Sequence, residues 1–294
     1  MELRNPLRHR LLPRLAMLGA TLIWGTSFVI VQKALEEIPV FHLIAYRFAL
    51  AALLLLPLAR GRWTPAVRRD GLLLGVILFA GFALQTAGLL WTTPSRSAFL
   101  TAISVILVPV FGLLAGRGLR WGPAVGSVLA FAGVWTLYRP TSGEIPSGGE
   151  FGKGDALTVA CAVVFAIYPL VLERITRRNP LGPLAVTQFA VVAVLALPSL
   201  LLDPPSAREL TGEPLIAVLV VGVLATAAAF AAWLYAQRHL SAVEAGVILT
   251  LEPVIAAGIS VALGVEPWTA ALGFGGMLVM AAMLVTELGG SEAG

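Results

Sequence analysis

Charge is scarce in this chain. Of 294 residues only 12% are charged and 58% are hydrophobic, and the mean hydropathy is +0.90. A soluble domain of this length carries roughly twice that charged share, so a water-soluble globular fold is excluded. The single cysteine, Cys161, lies inside an apolar run, which leaves no intrachain disulfide and no thiolate metal cluster. The histidines are unclustered, no apolar run holds paired aspartates, and neither a Walker A loop nor a soluble segment large enough for a nucleotide is present. The sequence therefore predicts no metal, no cofactor and no catalytic residues, and ATP-driven transport is disfavoured.

What the chain has in abundance is apolar sequence. Runs of about 18 to 24 residues, the length that crosses a hydrocarbon core, recur ten times: Leu15–Leu35, Pro39–Leu58, Gly71–Trp91, Arg96–Ala115, Trp121–Tyr138, Asp155–Leu172, Gly182–Leu202, Pro214–Gln237, Ala242–Leu263 and Pro267–Thr286. Arg4, Arg8, Arg10 and Arg14 precede the first run as they would in a signal peptide. That run continues past the length of a signal core without a cleavage site, so it reads as the first membrane helix. The pI near 9.7 suggests nucleic acid until the basic residues are placed. They fall in short loops, fourteen on the side of the N-terminal segment and five (Lys33, Arg96, Arg139, Lys153 and Arg208) on the other, which by the positive-inside rule predicts cytoplasmic termini and no nucleic-acid partner.

The two halves echo each other. Ser97–Pro109 (SAFLTAISVILVP) and Ser241–Pro253 (SAVEAGVILTLEP) share length, first two residues and last residue, and Trp24, Lys33 and Pro39 fall opposite Phe165, Arg174 and Pro180. Five helices per repeat is an odd number, so the second copy must enter from the opposite face. The expected fold is thus an all-α integral membrane protein of ten transmembrane helices, in two inverted-topology five-helix repeats that meet at a central site. The expected division is a basic cytoplasmic N-terminus (1–14), a first repeat (15–138), an extracytoplasmic Gly/Ser/Pro-rich linker (139–154), a second repeat (155–287) and a short tail (288–294).

Glu252 is the focal residue. Its partner position in the first half is Val108, and Pro253 follows it directly. A carboxylate near the middle of a span costs a few kcal/mol, and a proline there frees a carbonyl one turn earlier. Both are tolerated where a helix lines a cavity. Desolvation disfavours the charged form, so Glu252 could take up and release a proton or hold a substrate ammonium; the structural alternative is an ion pair with Arg47, the other strongly charged group well inside a run.

Trp24, Gly25, Thr26, Ser27 and Phe28, then GLLWTTPSRSAFL from Gly88, then Glu252–Pro253 and LGVEPW from Leu263, resemble the drug/metabolite transporter superfamily, in its EamA-type branch of ten-helix exporters. The resemblance implies a secondary transporter that exports small metabolites, amino acids and aromatic amino acids among them. Tyr168 and Pro169 stand where a tryptophan-rich run is more usual.

Spacing supplies the remaining candidates. Phe230 and Trp233 share a face with Thr226 and Gln237; Trp24 pairs with Ser27, Phe82 with Gln85, and Phe165 with Tyr168. These aromatics line an apolar cavity in one reading and are packing or interface belts in the other. His42 and Tyr46 lie one turn apart, His42 near the outer end of its helix; Arg47 contacts a substrate carboxylate, forms an essential ion pair or snorkels. Glu244, at the start of the ninth run, reads as structural. The expectation is a multi-pass inner-membrane exporter, monomeric or a weak homodimer, working by alternating access on a small molecule with or without a proton. An integral-membrane enzyme acting on lipid or prenyl phosphates is the rival, and a channel a third reading.

Overall fold

A computed structural model of the chain describes residues 6–92, 94–118, 121–137, 151–262 and 268–291. All regular structure among them is helical. In chain order come α1 (Pro6–Ala34), α2 (Val40–Leu55) with a 3₁₀ turn to Leu58, α3 (Pro65–Gly88), α4 (Pro94–Thr101), α5 (Ser104–Leu114) and α6 (Trp121–Leu137). The second half holds α7 (Lys153–Thr176), α8 (Leu181–Leu202), a 3₁₀ turn (Ala207–Leu210), α9 (Gly212–Val220), a π-helical segment (Val221–Ala228), α10 (Ala229–Gln237), α11 (Ala242–Leu249), α12 (Leu251–Ala262) and α13 (Ala270–Ser291). Arg4, Arg120 and Arg139, most of the linker and the LGVEP part of the second-half motif lie outside the described residues.

Among the described residues, six stretches are long and apolar enough to cross a membrane: Leu11–Ala34, Pro65–Gly88, Arg96–Leu114, Lys153–Thr176, Leu181–Leu202 and Gly212–Gln237. Val40–Leu55 and Gly273–Thr286 are apolar but shorter. Helix ends differ from the apolar runs because hydrogen bonding, not hydropathy, sets them. α3 starts at Pro65, where Thr64 accepts the N–H of Val67 at 3.2 Å, and so carries Arg68, Arg69 and Asp70 on its first turns.

Three runs that read as uninterrupted are not. The ninth breaks at Thr250, between α11 and α12. Pro253 has no N–H to offer the Leu249 carbonyl, and the Thr250 hydroxyl turns back to Val247 O at 2.5 Å. The fourth breaks at Ala102–Ile103, where bonds shorten to the 3₁₀ pattern (Ile103 N to Leu100 O 3.2 Å, Val105 N to Ala102 O 3.0 Å). The eighth carries the π segment.

The helices of one half pack on those of the other in matching pairs. α1 lies on α10 as α7 lies on α3; α1 touches α12 as α7 touches α4 and α5; α2 packs on the π segment as α8 packs on α3. α2 faces α8, and α6 faces α13. The last pair is backbone on backbone: a Cβ on Gly133 would lie 2.7 Å from Gly275 O.

Side-chain bonds fix which loops share an end. Gln32, in the last turn of α1, donates to Thr92 O (3.3 Å), and Thr92 Oγ1 donates to Asp155 at the start of α7 (3.1 Å). The end of α1 and the beginning of α7 therefore lie together. At the opposite end Asn179 after α7 donates to Asp70 at the start of α3 (2.9 Å). Large apolar side chains face outward along the bundle, Leu53, Leu114 and Leu202 among them, as contact with acyl chains requires.

Candidate functional site

The interrupted helices meet around an open cavity, about 930 Å³ of empty space with its mouth and the adjoining solvent included. α4 and α5 contribute Thr101, Ala102 and Ser104 at their break; α11 and α12 contribute Leu249, Thr250, Glu252 and Pro253 at theirs. Half-helices of this kind expose backbone that can meet a ligand. The wall climbs α1 from Trp24 to Val31 and α3 from Phe82 to Leu89, and so reaches the end of the bundle where both helices finish.

Aromatic rings form the floor. Trp24 meets Phe230 and Trp233 edge-on, with ring centroids 5.1 and 5.2 Å apart, and Phe82 lies 5.7 Å from Phe165. The π segment positions them: Trp24 Nε1 donates to Ala225 O at 2.7 Å, while Trp233 Nε1 donates to Gln237 Oε1 at 2.9 Å. Gln85 reaches Thr101 Oγ1 at 3.5 Å, and Ser27 Oγ donates to Trp24 O.

Two charged groups share the wall. Arg47 is buried; its Nε donates to Thr226 Oγ1 at 2.8 Å, and its guanidinium carbon lies 4.7 Å from the centre of the Phe82 ring. Glu252 sits past the Thr250 break, where its carbonyl approaches Gly25 of α1: a Cβ there would be 2.9 Å away. Among the described residues Glu252 makes no hydrogen bond or ion pair, and it is not paired with Arg47. Arg47 is turned to the π segment instead.

Of the candidate residues, Trp24, Ser27, Arg47, Phe82, Gln85, Phe230, Trp233 and Glu252 line this cavity. Tyr168, His42 and Tyr46 do not. Tyr168 is fully buried behind Trp233, its rings' centroids 5.1 Å apart, and donates to Gln188 Oε1 at 2.7 Å. His42 and Tyr46 converge on Glu209, at 2.8 and 3.0 Å from Oε2. Burial pushes the Glu209 carboxyl up, but the N–H of Ser206, His42 and Tyr46 together outweigh it and hold the group below its ordinary value. Thr101, Ser104 and Thr250 are polar cavity residues that the spacing argument passed over; the signal was their place inside the repeated Ser–Pro segments.

The far end is tied shut. Two residues past the end of α5, Gly116 turns the chain (φ 73°), and the N–H of Arg117 returns to Gly112 O at 2.9 Å. That turn delivers Arg117 to Glu173 of α7 and to Leu170 O. Nearby, Ser241 and Glu244 cap α11 reciprocally (3.2 and 2.8 Å), which accounts for Glu244 structurally.

The profile of the EamA-like transporter family matches residues 12–139 and again 152–288. An uncharacterized transporter of Archaeoglobus fulgidus is 30% identical over 280 residues, 95% of this chain and 87% of that one. The uncharacterized inner membrane transporter YedA of Escherichia coli is 30% identical over 302 residues, 95% and 92% of the two chains. The aromatic amino acid exporter YddG of Ancylobacter novellus is 25% identical over 280 residues, 92% and 94%. A solved crystal structure superposes with a TM-score of 0.75 at 22% identity, over 94% of this chain and 96% of the other, a likeness of fold.

Proposed function

We propose that this chain, which belongs to the EamA-like transporter family, exports small metabolites across the inner membrane by alternating access, with amino acids, aromatic ones included, as the leading substrates. It is a transporter and not an enzyme. The observation that carries the reading is the cavity itself: broken helices from both halves wall it, it reaches one end of the bundle, and the other end is closed by Arg117 and Glu173.

The reading has ten spans in two inverted repeats. It is supported by the end that α1's last turn shares with α7's first and by the matching packing of the halves. The short α2, about 24 Å long at roughly 1.5 Å per residue, runs on through a 3₁₀ turn to Leu58, and a bilayer can thin locally around a short span. With the arginine-rich loops inside, the termini are cytoplasmic and the cavity is open outward. One chain builds the whole cavity, so a monomer suffices. The likeness to an aromatic amino acid exporter and the ring-lined floor favour amphipathic substrates.

Counterflow in proteoliposomes loaded with a panel of amino acids tests this. Exchange of at least one labelled amino acid against excess unlabelled compound is expected. A complete lack of exchange across amino acids and related metabolites would sink the exporter reading.

A further inference from the structure

Arg47 is a buried cation whose charge no described residue offsets. A guanidinium carries five N–H donors, and here only Nε is used, on Thr226. Nη1 and Nη2 make no hydrogen bond to a described residue, and no described carboxylate lies within ion-pair reach. The groups packed around it are Phe48 on its own helix, Phe82 of α3, and Thr226 and Gly222 of the π segment. None carries charge. Glu252, the other ionisable group on the wall, stands on α12 and does not reach it. An isolated charge removed from water is costly unless a partner arrives, and the Phe82 ring returns only part of that cost because it offers no acceptor in the guanidinium plane.

The arrangement is also built to hold still. Thr226 gives its own proton to Val221 O at 2.9 Å, five residues back in the π register, so its lone pair is aimed at Nε. This leaves the planar fork of Arg47 free on the cavity wall, the geometry that takes a carboxylate through two parallel N–H bonds. Apolar rings line the same cavity: Trp24, Phe28, Phe82, Phe165 and Phe230.

We propose that Arg47 anchors an oxyanion of the substrate, a carboxylate first, so that the cavity selects apolar-bodied acids and zwitterions over amines of the same shape. The inference rests on the cavity being the transport site. The ammonium of a zwitterion is then the lesser determinant, and the acid group the required one.

Binding to the purified full chain in detergent at neutral pH, by titration calorimetry, tests it with four probes that share a phenyl body: hydrocinnamate, its isosteric neutral amide hydrocinnamamide, phenethylamine and phenyl phosphate. Hydrocinnamate is expected to bind at least about tenfold more tightly than the amide, as a charge-assisted pair should, with phenethylamine weakest. Phenyl phosphate equal to or above hydrocinnamate supports the anchor and widens the substrates to phosphate esters. Arg47→Gln should bind acid and amide alike, and Arg47→Lys should fall between. The wild-type series decides the matter even where a variant does not fold. Wild-type protein that binds acid, amide and amine alike overturns Arg47 as anchor and leaves the transport site standing. Wild-type protein that binds none of the four overturns the cavity as a ligand site.

Discussion

Arg117 Nη1 donates to Glu173 Oε2 at 2.6 Å, and that oxygen also receives the backbone N–H of Ala242 at 3.2 Å. Arg177 holds the other carboxylate oxygen at 3.0 Å. One side chain thereby joins the end of α5, the last turns of α7 and the start of α11. An alternating-access cycle has to undo this closure when the cavity opens the other way. Glu173→Gln should weaken it by about 1–2 kcal/mol, a roughly 5- to 30-fold shift in population. Thiol labelling of a Thr250→Cys probe from the side that carries Arg117 and Glu173, with Cys161 replaced, should rise accordingly; unchanged labelling would show that the contact is not a gate.

Glu252 lines the cavity with no described partner, so Glu252→Gln should fold like the wild type. If the residue couples protons to substrate, the variant loses uphill transport driven by a pH gradient and keeps substrate-for-substrate exchange. Both activities surviving with their pH dependence intact would remove Glu252 from the mechanism.

Gly133 has Gly275 O where a methyl would go, 2.7 Å away, whereas Gly118 has nothing within 4 Å. Gly133→Ala should cost about 1–3 kcal/mol through forced separation of α6 and α13, and Gly118→Ala less than about 0.5 kcal/mol. Thermal unfolding followed by size-exclusion chromatography would rank them.

The carboxylate of Glu209 is held below its ordinary value of 4.5 by donors that need it ionised. Its contribution to stability is complete above that value and is lost as the pH falls through the lower folded one. Comparing melting temperatures of wild type and Glu209→Gln across pH should show a gap at neutral pH that closes in acid. Glu209→Ala strands His42 and Tyr46, at a cost of about 1–3 kcal/mol.

Hydropathy and repeat spacing made much of the helical architecture readable, since burial in lipid demands continuous apolar sequence. Glu252 was conspicuous for the same reason, and Pro253 beside it announced the Thr250 break. The break at Ala102–Ile103 has no such marker, because Pro109 lies too far along to free those carbonyls. Nor could periodicity separate Tyr168 from Trp233: both are aromatics at helical spacing from a phenylalanine, and only the bond across to α8 shows Tyr168 turned to Gln188. His42 and Tyr46 were drawn to Glu209, 167 and 163 residues away, a pairing that local sequence does not record.

The π segment from Val221 to Ala228 carries a surplus residue relative to ordinary winding, and one residue is about 100° of helical rotation. Phe230 and Trp233 owe their inward aim to that surplus. A single-codon deletion within this stretch should yield a smoother, better-formed helix whose aromatic side chains point elsewhere, and whose polypeptide inserts normally yet carries no cargo.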